Sequence, residues 1–143
     1  MSTEENKTAV RSFLAAMDRD QGMKSALEQL GAPSYKAHFN GMPAMDAAGM
    51  AGFGGAFFAA CPGLRHEPND LVAEGNDVAL RMTIKGTHTQ PFMMPNGPLP
   101  ATNKSFEMPV MNLFRFGADG KVTEHWAMFD MLGFMQQLGA IPS

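Results

Sequence analysis

The spacing of apolar residues changes once along this chain, near Leu64, and that change limits what the chain can fold into. On the N-terminal side Val10, Phe13, Leu14 and Met17 recur at i, i+3, i+4 and i+7, one face of a helix. On the C-terminal side Val78, Leu80, Met82 and Ile84 alternate with Ala79, Arg81, Thr83 and Lys85, the period of a half-buried strand. Helices followed by a run of strands predict an α+β domain. The strands must curl around the helices to bury their apolar face. The expected architecture is therefore a curved antiparallel sheet wrapped around N-terminal helices, a cone-shaped barrel with an internal pocket. At 143 residues the chain is expected to be one domain, residues 1–143, with a core of its own.

The elements follow from local signals. Ser2-Thr3-Glu4-Glu5 has capping-box spacing and opens the first helix. A second helix is predicted from about Met23 to Leu30, stopped by Gly31 and Pro33. The piece Ser34–Phe39 reads as β-like or irregular. Met45 to Ala60 has helical length, but Gly49, Gly52, Gly54 and Gly55 weaken it, each by about 1 kcal/mol relative to Ala. Such a helix needs tertiary support, or lets something approach its backbone. Leu64 to Glu74 reads as a strand that Pro68 confines to an edge or a bulge. Val78–Thr87, Ser105–Phe116 and Lys121–Phe129 complete a four-strand meander, and Asp130–Leu138 closes the chain as a helix. The connection from Gln90 to Lys104 holds Pro91, Pro95, Pro98 and Pro100; without regular structure it would be a functional loop or lid.

Composition removes several functions. The net charge is −3 with no Lys/Arg cluster, so nucleic acid and anionic membrane surfaces are poor partners. Cys61 is the only cysteine, which excludes an intrachain disulfide and multi-cysteine metal frameworks. Four histidines occur without HxH, HxxxH or HExxH spacing, so no metal is implied. No G-x-S-x-G elbow, P-loop or G-x-G-x-x-G appears, so neither a serine nucleophile nor a nucleotide cofactor is implied. The polar, acidic N-terminus does not read as a secretory signal, and the expected setting is the cytoplasm. Fourteen methionines and eleven phenylalanines suit a soft interior able to accept a flat hydrophobic ligand, though such side chains also simply fill cores.

The candidate site centres on the last strand. Glu124, Trp126, Met128 and Asp130 share one face by period-2 alternation, which places a carboxylate beside large apolar groups. Facing a pocket, Asp130 would have its pKa raised by desolvation and could move a carbon-bound proton. Immediately before a helix, it is also placed to accept backbone N–H bonds as an N-cap, the role that the local sequence by itself favours. His38, between Ala37 and Phe39, is a candidate for orienting substrate or for acid–base work, or is a structural histidine. His88, between two threonines where a strand meets the proline-rich connection, is a candidate contact at the pocket rim or a turn-side hydrogen bond. His125 alternates opposite Trp126 and is expected outward. Glu124 lies about 20 Å from Asp130 along an extended strand, too far for a carboxylate pair, and is expected to meet Arg81 or Arg115.

Several stretches resemble the SnoaL-like polyketide cyclases, within the nuclear transport factor 2-like superfamily. They are Asn6 to Phe13, Cys61-Pro62-Gly63-Leu64, Asp70 to Gly75, Gly86-Thr87-His88-Thr89, and Phe114-Arg115-Phe116 through Gly120-Lys121-Val122. Glu124-His125-Trp126, Asp130 and Gln136-Gln137-Leu138-Gly139 complete the pattern, in order along nearly the whole chain. The glycine-rich helix and the proline-rich connection depart from it. The resemblance implies an α+β cone, a homodimer formed through the outer sheet surface, and ring closure by intramolecular aldol condensation without a cofactor. It also implies a general acid/base at Asp130. The expected function is thus a cofactor-independent acid–base enzyme on a hydrophobic, carbonyl-bearing small molecule. Asp130, His88 and His38 are its candidate catalytic groups, and Trp126, Met128, Phe57, Met111 and Phe53 its substrate contacts. The alternatives are an isomerase or hydrolase on the same scaffold, or a non-catalytic module that binds a hydrophobic ligand.

Overall fold

A computed structural model describes residues 2–142. Helix α1 (Thr3–Asp20) starts at the predicted box: Ser2 Oγ accepts from the Glu5 N–H, and the Glu5 carboxylate accepts from the Ser2 N–H, each at 3.1 Å. Its buried side carries Val10, Phe13, Leu14 and Met17 as the spacing requires. Helix α2 (Lys24–Leu30), strand β1 (Gly31–Phe39) and helix α3 (Ala47–Ala60) follow, α3 being capped by Asp46 through the Gly49 N–H at 2.8 Å. The glycines of α3 admit a close approach at one place. A Cβ on Gly54 would overlap the sulfur of Met23, whereas Gly52 and Gly55 face open space.

The remaining elements are β2 (Arg65–Glu74), β3 (Asp77–Thr87), β4 (Phe92–Met94), β5 (Gly97–Leu99), β6 (Ser105–Phe116), β7 (Val122–Phe129) and α4 (Met131–Gln137). The main sheet has the order β1-β7-β6-β3-β2. Strands β2, β3, β6 and β7 form the predicted antiparallel meander. Strand β2 sits at the edge with a register shift between Pro68 and Asp70, as a proline without a ladder donor requires. Helices and a curved sheet together make the α+β architecture the period change predicts.

Three features differ from the sequence reading. The sheet is mixed, because β1 joins β7 in parallel, pairing His38 with Trp126 and Phe39 with Ala127. The connection after β3 is not structureless: β4 and β5 form a small hairpin whose Phe92 is buried against Phe57 and Phe134, ring centres 4.8 and 6.3 Å apart. Third, the two faces of β7 are exchanged relative to expectation. Phe116 pairs with Val122 but Arg115 pairs with Glu124, so one extra residue, Thr123, enters the strand. This bulge lets Val122 and His125 both point inward and turns Glu124, Trp126 and Met128 outward.

Candidate active site

The helices and the inner face of the sheet line a partly open cavity of about 60 Å³. Seven phenylalanines and five methionines line it, among them the expected Phe53 and Phe57. On that measure it has room for a few waters but not for a multi-ring molecule. A ligand of that size enters only as side chains swing aside. Methionine, unbranched and soft, is the residue that does so at least cost.

Three side chains interrupt this apolar wall with polar atoms: His66, Asn112 and His125. The β6 alternation that buries Val110 and Phe114 also buries Asn112 between them. Its amide Nδ2 donates to the Leu80 carbonyl at 3.3 Å, which leaves Oδ1 to accept from His125 Nε2–H at 2.9 Å. His125 Nδ1 is then bare and accepts from the Tyr35 hydroxyl at 3.3 Å. Its ring stacks on Phe114 at 4.0 Å and meets Phe39 edge to face at 5.1 Å. Burial, with a smaller contribution from the nearby His38 charge, pushes the His125 pKa down to about 3. His125 is therefore a neutral hydrogen-bonding group at physiological pH. Burial likewise raises the Tyr35 hydroxyl above its ordinary range.

His66 is held differently. Its Nδ1–H donates to Asp18 Oδ1 at 2.7 Å, and its backbone N–H donates to Asp18 Oδ2 at 2.8 Å. The ring packs against Phe58 with centres 5.7 Å apart. Asp18 lies one turn beyond Leu14 on α1, at the border of its apolar stripe. Its partner comes from the first strand residues after the helical half of the chain.

The expected catalytic groups are dispersed. Asp130 is exposed, with Oδ1 accepting the Gly133 N–H of α4 at 2.8 Å, and it does not line the cavity. The outward turn of β7 is what carries it there. His38 is on the outer sheet face: its Nε2–H donates to Glu124 at 2.8 Å and its ring stacks on Trp126 at 5.4 Å. Glu124 therefore meets His38 rather than Arg81, and Arg115 caps the other neighbour, its guanidinium carbon 5.1 Å from the Trp126 ring. His88 is fully buried away from the cavity, and burial pushes its pKa down. Its Nδ1 accepts from Thr102, and its backbone pairs with Asn103 and Lys104, so it fastens the base of the β4–β5 excursion. Among the expected substrate contacts, Trp126, Met128 and Met111 lie on the outer face; Met111 and Met128 pair across strands, 58% and 64% exposed.

The sequence reading missed His66, Asp18 and Asn112 and faced His125 outward. The strict alternation of Phe106, Met108, Val110, Phe114 and Phe116 already places Asn112 inward. No short-range pattern joins His66 to Asp18, 48 positions apart. Among the described residues no three His, Cys, Asp or Glu side chains come together as a metal site. No helix there is long and apolar enough to cross a membrane.

Comparisons with known proteins agree with this architecture. The chain is similar to AclR of Streptomyces galilaeus, a candidate hydroxylase, at 27% identity over 99% of this chain and 85% of that one, with a TM-score of 0.86. TsrD of Streptomyces laurentii is 26% identical over 99% of each chain, with a TM-score of 0.81. IdmH of Streptomyces antibioticus, a candidate polyketide cyclase, is 28% identical over 94% of this chain and 98% of its own, with a TM-score of 0.79. No curated protein matches. The family profile described as SnoaL-like polyketide cyclase matches residues 7–138, nearly the full length, and the chain belongs to that family.

Proposed function

We propose that this protein is a cofactor-independent acid–base enzyme that closes a ring in a hydrophobic, carbonyl-bearing small molecule by intramolecular aldol condensation. One observation carries the reading: a partly open, almost wholly apolar cavity holds a small set of polar atoms whose directions are fixed by buried hydrogen bonds. The apolar wall takes the carbon skeleton. Asn112 has a second amide hydrogen beyond the one given to Leu80, suited to a carbonyl oxygen that becomes negative as an adjacent C–H is lost. Because the donor is already oriented, no reorganisation opposes charge build-up. The enolate carbon then attacks a second carbonyl of the same molecule, and the alkoxide formed takes up a proton. Desolvation and orientation supply much of the acceleration.

The same reading has the protein act in the cytoplasm as a homodimer. The exposed Met111 and Met128 on the outer sheet face support the latter.

β-Tetralone, an apolar bicyclic ketone with acidic α-hydrogens, tests the chemistry. Its binding is followed by displacement of a hydrophobic dye, and its α-deuteration by mass spectrometry in heavy water. Binding with α-deuteration above the buffer rate is the expected result. Binding without any catalysed exchange would make the protein a ligand-binding module instead.

A further inference from the structure

We propose that His66 and Asp18 form the proton-transferring pair of this cavity, with His66 Nε2 as the base and Asp18 as its positioning residue. The proposal rests on the acid–base reading above and assigns its proton carrier.

The geometry separates the two histidines of the cavity wall. His125 has both ring nitrogens engaged, Nε2–H on Asn112 and Nδ1 under the Tyr35 hydroxyl, so it has no lone pair to offer a substrate. His66 has only Nδ1 engaged. Asp18 accepts with both oxygens, one from the ring and one from the backbone N–H of the same residue, so the carboxylate is clamped and the ring orientation follows. A carboxylate can only accept. Nδ1 must therefore carry the hydrogen, and in the neutral imidazole Nε2 is left with the lone pair. Nε2 has no protein partner among the described residues, yet it is not among the buried side-chain atoms left without one. It therefore keeps some exposure to a water-sized probe, on a side chain that lines the cavity. A neighbouring carboxylate stabilises the imidazolium that forms when such a nitrogen takes a proton.

The step balances without a further reagent. Nε2 removes a proton from the carbon alpha to a carbonyl; the C–H pair becomes the C=C bond of an enolate and the carbonyl π pair moves to oxygen. In ring closure the enolate carbon forms the new C–C bond, the second carbonyl's π pair moves to its oxygen, and the imidazolium returns its proton there. In heavy water without a second carbonyl, the imidazolium exchanges with solvent and returns deuterium to carbon.

The test uses the whole protein in two measurements. Nitrogen NMR of the resting wild type should show His66 as the Nδ1–H tautomer; the Nε2–H tautomer would overturn the proposal whatever the activity. With saturating β-tetralone, His66→Gln should lose α-deuteration by about 100-fold or more, with its dye displacement and melting temperature close to wild type. Asp18→Asn puts an amide opposite Nδ1; it should move His66 toward the Nε2–H tautomer and lower exchange about 10-fold or more. The tautomer shift reports the hydrogen bond, and a fall in exchange with dye displacement unchanged is what a merely structural role would not produce. Wild-type exchange retained in a folded His66→Gln overturns the pair while leaving the acid–base reading standing. A wild type that binds the ketone and exchanges nothing overturns both.

Discussion

Acidification should destabilise this protein through His125, and the size of the effect follows from its surroundings. The ring is 3% exposed and held as a neutral donor–acceptor between Asn112 and Tyr35. Its folded pKa of about 3 lies below the ordinary 6.5 because burial opposes the charge. In the unfolded chain the same ring takes a proton near its ordinary value. Between the two values the unfolded state binds more protons than the folded one, so stability rises with pH in that window. The contribution is fully present above the unfolded pKa and is lost progressively as pH falls toward the folded one. At about 1.4 kcal/mol per pH unit, the whole window is worth about 5 kcal/mol, and the part between pH 7 and pH 4.5 about 2.5 kcal/mol. Urea denaturation at those two pH values measures it against His125→Gln. Glutamine can still donate to Asn112 and accept from Tyr35 but does not titrate. All other titratable groups are present in both proteins, so the comparison isolates the substituted residue. The wild type should lose about 2.5 kcal/mol more than the variant on acidification. Equal losses would refute the argument that His125 is buried neutral.

Gly54→Ala should displace Met23 from its seat against α3. The lost burial, about 2 kcal/mol, exceeds the gain of about 1 kcal/mol from helix propensity, so thermal melting should show a small net destabilisation together with altered dye binding; unchanged dye binding would argue against the contact. Asp130→Ala removes the α4 cap and should cost about 1 kcal/mol by urea denaturation while α-deuteration of β-tetralone persists. An activity loss far beyond that stability change would return Asp130 to the reacting groups. Joint Met111→Arg and Met128→Arg substitution should convert a sedimenting dimer into a folded monomer; a wild type that sediments as a monomer at all concentrations would exclude the outer-face dimer. Asn112→Leu should weaken α-deuteration about 10-fold or more with hydrophobic dye still bound, because it removes the donor and keeps the volume; undiminished exchange would remove Asn112 from the site.

Much of the fold follows from interactions within a few residues of one another. The capping box at Ser2 and Glu5, the stripe from Val10 to Met17, the edge position imposed by Pro68 and the alternation in β3 and β6 all have local causes and appear where the sequence places them. Phe53 and Phe57 line the cavity. Alternation, however, states only which residues share a face, not which face is inside. In β7 that sign comes from the register against β6, and the single extra residue at Thr123 reverses it, carrying Trp126, Met128 and Asp130 out and His125 in. The pairing of β1 with β7 and the meeting of His66 with Asp18 depend on chain segments far apart in sequence. Their contacts exist only after the helices and sheet have packed. Local chemistry thus determined the elements and the apolar lining, whereas tertiary register and long-range docking decided which polar groups face the cavity.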